Sequence, residues 1–314
     1  WLAGQRSIND ELLSDLDALR ARSRQLAKNN AYARKFLKMV ARNVVGPNGF
    51  ILQARVMESD SQPDSLANGA IEGGFFRWAR RGSCEITGRL SFSDLCRAVM
   101  RGVARDGEAL VRQVRGGEAR NPEGYALQLL DVARLDTARN RKATATQPAI
   151  IMGVEVDSYQ RPLGYWIKAS PDASSSAAVR YDAADILHIF VPEEAEQVRG
   201  VPWMHAAMLD LHDLGEFNRS ALLAARKGAN TLGFIVSPDG TAPPGDEDED
   251  GQAIDISVPG SYDVLPEGYD IRTPASAFPD AAIDPFTKAI LRRVSSGFDV
   301  SYNGLGNDLE GVNF

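Results

Sequence analysis

The longest run of helical periodicity in the chain lies between residues 203 and 227. Trp203 to Lys227 forms about 37 Å of predicted α-helix at 1.5 Å per residue, with Pro202 before its first turn and Gly228 after its end. Asp210, Asp213 and Glu216 fall on a separate acidic face. A helix of this length suits a strut between two β-rich regions. Its apolar or small positions recur at spacings of four and three, with Asn218 interrupting the series: Met204, Met208, Leu211, Gly215, Leu222 and Ala225.

The first hundred residues carry further helical patterns. Residues 7–42 are predicted to be helical with a break at Asn29-Asn30, and a polar loop precedes a short helix from Ile71 to Arg80. Ser91 and Asp94 have the spacing of a capping box at the start of the next helix. On that helix the exposed cations repeat at i, i+4 and i+8, a stripe formed by Arg97, Arg101 and Arg105.

Strand patterns fill most of the remaining sequence up to residue 192, which predicts an α+β fold. The predicted strands are Phe50–Met57, Glu108–Val114, Tyr125–Leu130, a hairpin of Ile150–Val156 with Leu163–Lys168, and Asp185–Pro192. Short strands are expected again at Leu232–Val236, Ile254–Val258, Tyr262–Leu265 and Tyr269–Arg272. Asp284-Pro285 starts a last helix, and the polar, Gly-rich residues 301–314 receive no regular element.

Charge is distributed unevenly along the 314 residues, whose net charge is −7. Residues 1–45 carry nine Lys/Arg and four Asp/Glu, whereas residues 186–314 carry eight and twenty-one, a net of −13. An acidic half argues against tight, sequence-independent DNA binding, which needs a basic surface. No apolar run reaches the ~18–20 residues of a membrane span, and we expect no membrane partner.

The N-terminus and the two cysteines give little information about function. No signal peptide is evident at Trp1, and the absent initiator Met indicates a trimmed N-terminus or a fragment. Cys84 and Cys96 lack metal-ligand spacing and are interpreted as free thiols of an intracellular protein.

The sequence offers no catalytic site. It lacks HExxH, CxxC, GxSxG, GxGxxG and P-loop patterns, and its three histidines do not have the spacing of a shared metal site. Asp106 with Glu108 is the one acidic pair expected on an ordered edge, and a catalytic role for it is the weaker hypothesis. We therefore predict a protein that is not an enzyme and binds neither metal nor cofactor.

Several long blocks resemble the lambda-type family of tailed-phage portal proteins over residues 22–314. They are RSRQLAKNNAYARKFLKMVARNVVGPNGF, WARRGSCEITGRLSFSDLCRAVMRGVARDGEALVR, LQLLDVARLD, DILHIFVPEEAEQVRGVPWMHAAM and SYNGLGNDLEGVNF. The resemblance implies a homo-oligomeric ring, usually dodecameric, at one capsid vertex. Such a ring nucleates head assembly with major capsid or scaffold protein, docks the terminase large subunit and the head–tail adaptor, and passes double-stranded DNA non-specifically. It also implies a virion component, assembled in the bacterial host cytoplasm, without catalytic residues.

The resemblance also implies a domain order. An α+β wing would occupy 1–198, a first stem helix 199–230, a small α/β clip 231–282, a second stem helix 283–300 and the start of a tunnel-facing segment 301–314. The sequence stops inside a family block, so the C-terminal crown is expected to be missing.

Three groups of residues are candidates for roles in such a ring. The channel-lining candidates are Lys288, Arg292, Asn303, Asn307 and Asp308. The candidates facing terminase or adaptor are the five consecutive acids Asp246, Glu247, Asp248, Glu249 and Asp250, in a Pro-rich segment interpreted as a mobile loop. The subunit-interface candidates are Arg97, Arg101, Arg105, Trp203 and Met208.

Two other functions stay open at this point. A nuclease-type or protease-type enzyme associated with the capsid needs a rigid acid cluster or an activated nucleophile, and neither pattern is evident. A capsid-associated adaptor without a channel would form a monomer or small oligomer instead of a large ring.

Overall fold

A computed structural model describes residues 4, 6–59, 61–230, 234–236, 270–272 and 282–310. The chain divides into two compact units. The first contains Trp1–Leu209 and Val294–Phe314, and the second contains Asp210–Arg293. The predicted domain order is a finer division than these units and stays a prediction.

Two consecutive helices open the first unit, α1 (Ile8–Asn29) and α2 (Ala31–Val45). The predicted break is confirmed, since Asn30 is extended between them. Its Oδ1 accepts hydrogen bonds from Tyr32 N at 3.0 Å and Ala33 N at 3.1 Å, and its own N–H donates to Leu26 O at 2.8 Å. One side chain thus supplies acceptors that the first turn of α2 lacks.

The segment after α2 differs from its prediction. Residues 50–57 form no strand ladder in the described part of the chain and only one isolated bridge, Met57 to Pro63. Helix α3 (Ser65–Trp78) begins six residues earlier than Ile71 because Asp64 caps it, accepting from Ala67 N at 2.8 Å. Side chains of this helix bond to the extended backbone: Asn68 Oδ1 accepts from Val56 N at 2.7 Å and Glu72 Oε1 from Ala54 N at 2.9 Å.

Helix α4 (Phe92–Asp106) has the predicted capping box of Ser91 and Asp94. It ends at Gly107 (φ 88°), from which the chain enters strand β1 (Glu108–Arg115). Strand β1 is the middle of an antiparallel sheet of order β2-β1-β7, with β2 (Tyr125–Leu130) and β7 (Ile186–Phe190) on its sides. These three strands agree with the predicted ones.

A second antiparallel sheet has the order β3-β4-β5-β6. Its strands are β3 (Ala149–Ile151), β4 (Val154–Val156), β5 (Pro162–Ile167) and β6 (Val179–Asp182). The predicted single strand Ile150–Val156 is wrong, since the chain reverses at Met152 (φ 47°) and Gly153 (φ 84°) to form a hairpin. Positive φ at both central residues is typical of a type I′ turn.

The core follows from side-chain alternation along β1. Ala109 and Val111 face α4, where they pack with Leu95, Val99 and Val103. Leu110, one residue between them, faces the second sheet and packs with Val154, Tyr165 and Ile167. The sheet β2-β1-β7 is therefore the middle layer between α4 and the second sheet.

The long predicted helix starts later than expected. It does not begin at Trp203, because the Pro202 carbonyl accepts from His205 N at 2.9 Å in a turn that leads to a 3₁₀ segment, His205–Ala207. The α-helix itself, α5, runs from Met208 to Asn230. Helix α6 (Ile283–Gly297) starts one residue before Asp284.

Within the second unit, α5 and α6 pack through Phe217 and Phe286, whose ring centroids are 4.7 Å apart. Arg293 Nε donates to Asp210 Oδ2 at 2.7 Å in the same pair of helices. Strands β8 (Phe234–Val236) and β9 (Asp270–Arg272) pair antiparallel. The predicted strands Ile254–Val258 and Tyr262–Leu265 lie outside the described residues.

A short last helix, α7 (Tyr302–Gly306), corrects the expectation of no regular element there. Ser301 caps it by accepting from Gly304 N at 3.1 Å. Among the described residues, none of the helices combines the length and the hydropathy that a membrane crossing requires.

Candidate functional site

The turn between α4 and β1 places two carboxylates inside the protein. Asp106 is 2% exposed and Glu108 is 0% exposed, and together they are the acidic pair that the sequence singled out. A buried carboxylate is costly unless hydrogen-bond donors and counter-charges surround it. Both receive them from distant parts of the chain.

Glu108 accepts hydrogen bonds from four residues. Arg199 Nε lies 2.9 Å from Oε1 and 3.1 Å from Oε2, and Arg199 Nη2 lies 2.6 Å from Oε1. Gly200 N and His188 Nε2 donate to Oε2 at 2.9 and 2.8 Å, and Arg20 Nη2 donates to Oε1. Burial alone would raise the pKa of Glu108, but Arg199, Arg20 and His188 hold that pKa well below its usual range.

Asp106 is held by two arginines in bidentate geometry. Arg24 donates from Nε at 2.8 Å and Nη2 at 3.0 Å, and Arg105 from Nε at 3.0 Å and Nη2 at 2.6 Å. Arg24 also bonds to Asp131 at 2.6 Å, and the side-chain hydrogen bond with Asp106 raises the pKa of Arg24. Burial lowers the pKa of Arg20 to about 10, against the opposing effect of Glu108, so Arg20 stays charged at neutral pH.

This network has a structural role. A carboxylate whose oxygens accept from several guanidinium groups lacks the basicity that a general base needs. The network instead joins α1, the α4–β1 turn and the segment before α5. Gly107 and Gly200 meet backbone to backbone there, since an added Cβ at either glycine would overlap the other's carbonyl.

The three arginines of the α4 stripe line a cleft between α2 and α4. Its volume is about 820 Å³, and the small residues Ala41, Ala98 and Gly102 also line it. Arg97 donates to Pro47 O at 2.7 Å and Gly46 O at 3.1 Å, which ties α4 to the end of α2. The cationic residues that line this part are Lys38, Arg42, Arg97, Arg101 and Arg105, and the one acid is Asp94.

The cleft continues past Arg101 and Arg105 into a second space of about 360 Å³ beside α1. Its further cations are Arg24, Lys28 and Arg34. We call the two spaces together the cationic cleft. A concave surface lined by one sign of charge concentrates field lines and attracts ions of the opposite sign.

Three cations of the cleft have no counter-charge among the residues that the structure describes. Lys38, Arg42 and Arg101 are exposed, and no ion pair or hydrogen bond within the described part of the chain reaches their charged groups. Lys38 and Arg42 are four residues apart on α2, an arrangement of like charges that destabilises a helix by about 0.2–0.5 kcal/mol. The repulsion between Lys38 and Arg42 is therefore not offset by an ion pair among the described residues.

With this geometry in hand, comparison with known proteins identifies the family. The family model described as "Phage portal protein, lambda family" matches residues 1–314. The chain therefore belongs to the lambda family of phage portal proteins. It is also 35% identical over 314 residues to the probable portal protein of Halomonas phage phiHAP-1, a match that covers 96% of this chain and 60% of that protein. The chain thus spans about 60% of the length of this curated relative.

Solved structures similar to this portal chain come from gene transfer agent (GTA) particles. The neck of a native particle computed with C12 symmetry has a TM-score of 0.56 and 14% identity, covering 96% of this chain and 72% of that one. The neck of an empty particle computed with C6 symmetry has a TM-score of 0.56 and 15% identity, with coverages of 96% and 73%. The virion of a native GTA particle has a TM-score of 0.57 and 15% identity, and the match covers 100% of this chain and 74% of that one. At these identities the similarity shows the α+β portal fold.

The channel-lining candidates lie in two places. Lys288 and Arg292 are on α6, where Lys288 Nζ lies 3.0 Å from Asp284 Oδ2. The candidates near α7 are Asn303, half-buried, then Asn307, which accepts from Lys35 of α2, and Asp308, whose Oδ2 accepts from Tyr302 at 2.6 Å. Their channel role stays a prediction.

The remaining candidates divide between the core and an undescribed segment. Met208 is buried. Trp203 packs against the α4–β1 core, and its backbone N–H donates to Ala104 O at 3.1 Å. Both therefore contribute to packing within the subunit. Asp246–Asp250 lies outside the described residues.

The remaining titratable groups of the described chain indicate no metal site. No group of three His, Cys, Asp or Glu residues there is placed to hold a metal ion. Cys84 is buried and Cys96 is half-buried, and burial raises the pKa of the Cys84 thiol to about 11.

Sequence reasoning missed the main feature of this region. It treated Asp106 and Glu108 as a possible acidic edge, whereas the structure shows an ion-pair core formed with Arg20, Arg24 and Arg199. The sequence contained one signal, a lone Arg199 between apolar residues in the segment VRGV.

Proposed function

We propose that this portal chain is the subunit of a twelve-membered ring at one capsid vertex, through which double-stranded DNA passes during packaging and ejection. The observation that carries the proposal is the portal-family match over all 314 residues. The likeness of the fold to GTA necks, one of them computed with C12 symmetry, supports the subunit number.

The charge distribution supports a conduit. Residues 186–314 carry a net charge of −13, and phosphate-binding affinity depends on how many phosphates a protein neutralises with Lys and Arg. An acidic wall would let a duplex slide without being held. The predicted wing, stem and clip are part of this proposal, as are the channel-lining residues Lys288, Arg292, Asn303, Asn307 and Asp308.

Partners follow from the same proposal. The ring would dock the terminase large subunit before the head–tail adaptor, with Asp246–Asp250 facing them, and would meet major capsid or scaffold protein around its rim. We propose a virion location after assembly in the host cytoplasm. The nuclease alternative is weakened, because its candidate catalytic acids, Asp106 and Glu108, accept hydrogen bonds from buried or half-buried arginines.

Electron cryomicroscopy of the purified protein tests the conduit. We expect a closed ring with a central opening wide enough for duplex DNA. Solid particles without an opening, or monomers at all concentrations, would contradict the proposal and favour an adaptor without a channel.

Deleting Asp246–Asp250 tests docking, since undiminished terminase binding would remove that segment from the interface.

A further inference from the structure

A loop of three glutamates lies directly after β7. Glu193, Glu194 and Glu196 are exposed, and no ion pair within the described residues neutralises them. The backbone of this loop is fixed, since Gln197 Oε1 accepts from Glu193 N at 2.7 Å and from Glu194 N at 3.1 Å. We call residues 193–196 the acidic loop.

The acidic loop is attached to the beginning of α1. Asn9 Nδ2 donates to Glu196 O at 2.8 Å, and Asn9 Oδ1 accepts from Val198 N at 3.1 Å. The cationic cleft instead meets α1 at Arg24 and Lys28. Asn9 and Arg24 are separated by roughly 22 Å along a helix that rises 1.5 Å per residue.

The acidic loop and the cationic cleft of one chain therefore meet α1 near its opposite ends. No ion pair among the described residues joins the two surfaces. Both belong to the first unit, so their separation does not depend on the second. The acidic loop is left with three carboxylates, and the cationic cleft with Lys38, Arg42 and Arg101, that have no ion-pair partner among the described residues.

We propose that the acidic loop of one subunit docks into the cationic cleft of a second copy of this chain. Two different, complementary surfaces on one molecule produce head-to-tail contacts, which close into a ring when the rotation is suitable. The inference rests on the proposed ring and names the surfaces that build it. The exposed cations of the contact are Lys38, Arg42 and Arg101.

Apolar surface accompanies both sides, as an interface core requires. On the edge strand β7, Leu187 and Ile189 are 41% and 36% exposed, and Val191 is 52% exposed just before the acidic loop. Beside the cleft, Val44 and Phe50 are 47% and 52% exposed on either side of Pro47. Charged groups would set the direction of docking, and these side chains would add buried area.

Charge reversal with a mixing step tests the proposal on the whole chain. The cleft variant is Lys38→Glu, Arg42→Glu and Arg101→Glu, and the loop variant is Glu193→Lys, Glu194→Lys and Glu196→Lys. These side chains make no partnered contact within the described fold, so the variant monomers should keep the circular-dichroism spectrum of wild type. We expect each variant alone to lose ring formation in light scattering, and an equimolar mixture to recover it as an alternating ring.

A matched control carries the same charge change outside the cleft. Arg22→Glu, Arg89→Glu and Lys142→Glu reverse three exposed cations that do not line it, and this variant should assemble like wild type. Rings formed by the cleft variant alone, no recovery on mixing, or equal loss in the control would overturn the proposal. If wild type rings persist in any of these cases, the proposed function stands without this interface, whereas absence of wild type rings ends both.

Duplex DNA is the competing occupant of a cationic cleft. Fluorescence anisotropy with a labelled duplex separates the two. The interface proposal predicts that assembly, and not DNA affinity, depends on the cleft. Loss of DNA binding by the cleft variant with ring formation intact would assign the cleft to DNA and overturn docking.

Discussion

Glu108 and Arg199 form a bidentate ion pair in which both side chains are completely shielded from solvent. The two residues are 91 positions apart, and their contact joins the start of β1 to the segment that precedes α5. Arg20 of α1 shares the same carboxylate. The first unit is therefore fixed internally by charge at its centre, with apolar packing on both sides of the sheet.

Replacing the carboxylate tests how much this centre contributes. Glu108→Gln leaves Arg199 and Arg20 buried without their counter-charge, and removing one partner of a buried ion pair costs about 3–5 kcal/mol. We expect a loss of that size in the free energy of unfolding, measured by chemical denaturation with tryptophan fluorescence. Asp185→Asn is the control, because its pair with Arg115 is about half exposed and such pairs contribute about 1 kcal/mol or less. Equal losses in the two variants would refute the central role of Glu108.

The same carboxylate predicts an acid dependence of stability. The folded pKa of Glu108 is held below its ordinary value of 4.5, so the ion pair stabilises the fold above about pH 4.5. That contribution is lost as the pH falls through the folded pKa. The difference in melting temperature between wild type and Glu108→Gln should therefore narrow between pH 7 and pH 3. A difference that stays constant over this range would contradict the assignment.

Replacing Gly107 tests how closely its backbone approaches the backbone of Gly200. Gly107→Ala places a Cβ at φ 88° and against the backbone of Gly200 and Val201. Gly116→Ala is a matched control, because Gly116 also has a positive φ of 70° but open space around its Cβ position. We expect the control to lose about 1 kcal/mol of stability from backbone strain and Gly107→Ala to lose clearly more. Similar losses of stability in the two variants would mean that the backbones of Gly107 and Gly200 leave room for a Cβ.

Asn30 tests the junction between α1 and α2. Asn30→Ala removes the acceptor for Tyr32 N and Ala33 N, a change that costs about 0.5–2 kcal/mol at helix N-caps. Asn43→Ala, at an exposed position inside α2, should leave stability unchanged or raise it slightly. Thermal melts by circular dichroism compare the two, and an Asn30 variant as stable as the Asn43 variant would show that the cap is dispensable.

Local signals in the sequence predicted the helices well where one side chain decides the boundary. The break at Asn29-Asn30 and the capping box of Ser91 and Asp94 both depend on residues within three positions of each other. The N-cap of α3, Asp64, was missed. The extended residues before it were predicted to be a strand, but they bond to side chains of α3 and not to another strand. The apolar run Ile150–Val156 hid a turn, since Met152 is not a residue that usually marks positive φ.

The candidate site was less predictable. Arg97, Arg101 and Arg105 were recognised as a stripe on α4, but Lys38, Arg42 and Lys28 join them only through tertiary packing. Glu108 gave no local sign of burial, because Arg20 and Arg199 are 88 and 91 residues away. Periodicity reports neighbours along an element, and long-range ion pairs have no period.

The central claim is that copies of this chain close into a ring of twelve, and native mass spectrometry of the purified protein tests it most directly. We expect one dominant species at twelve times the subunit mass, which dissociates as salt shortens the range of the charge contacts. A stable monomer or dimer at every protein concentration would contradict it.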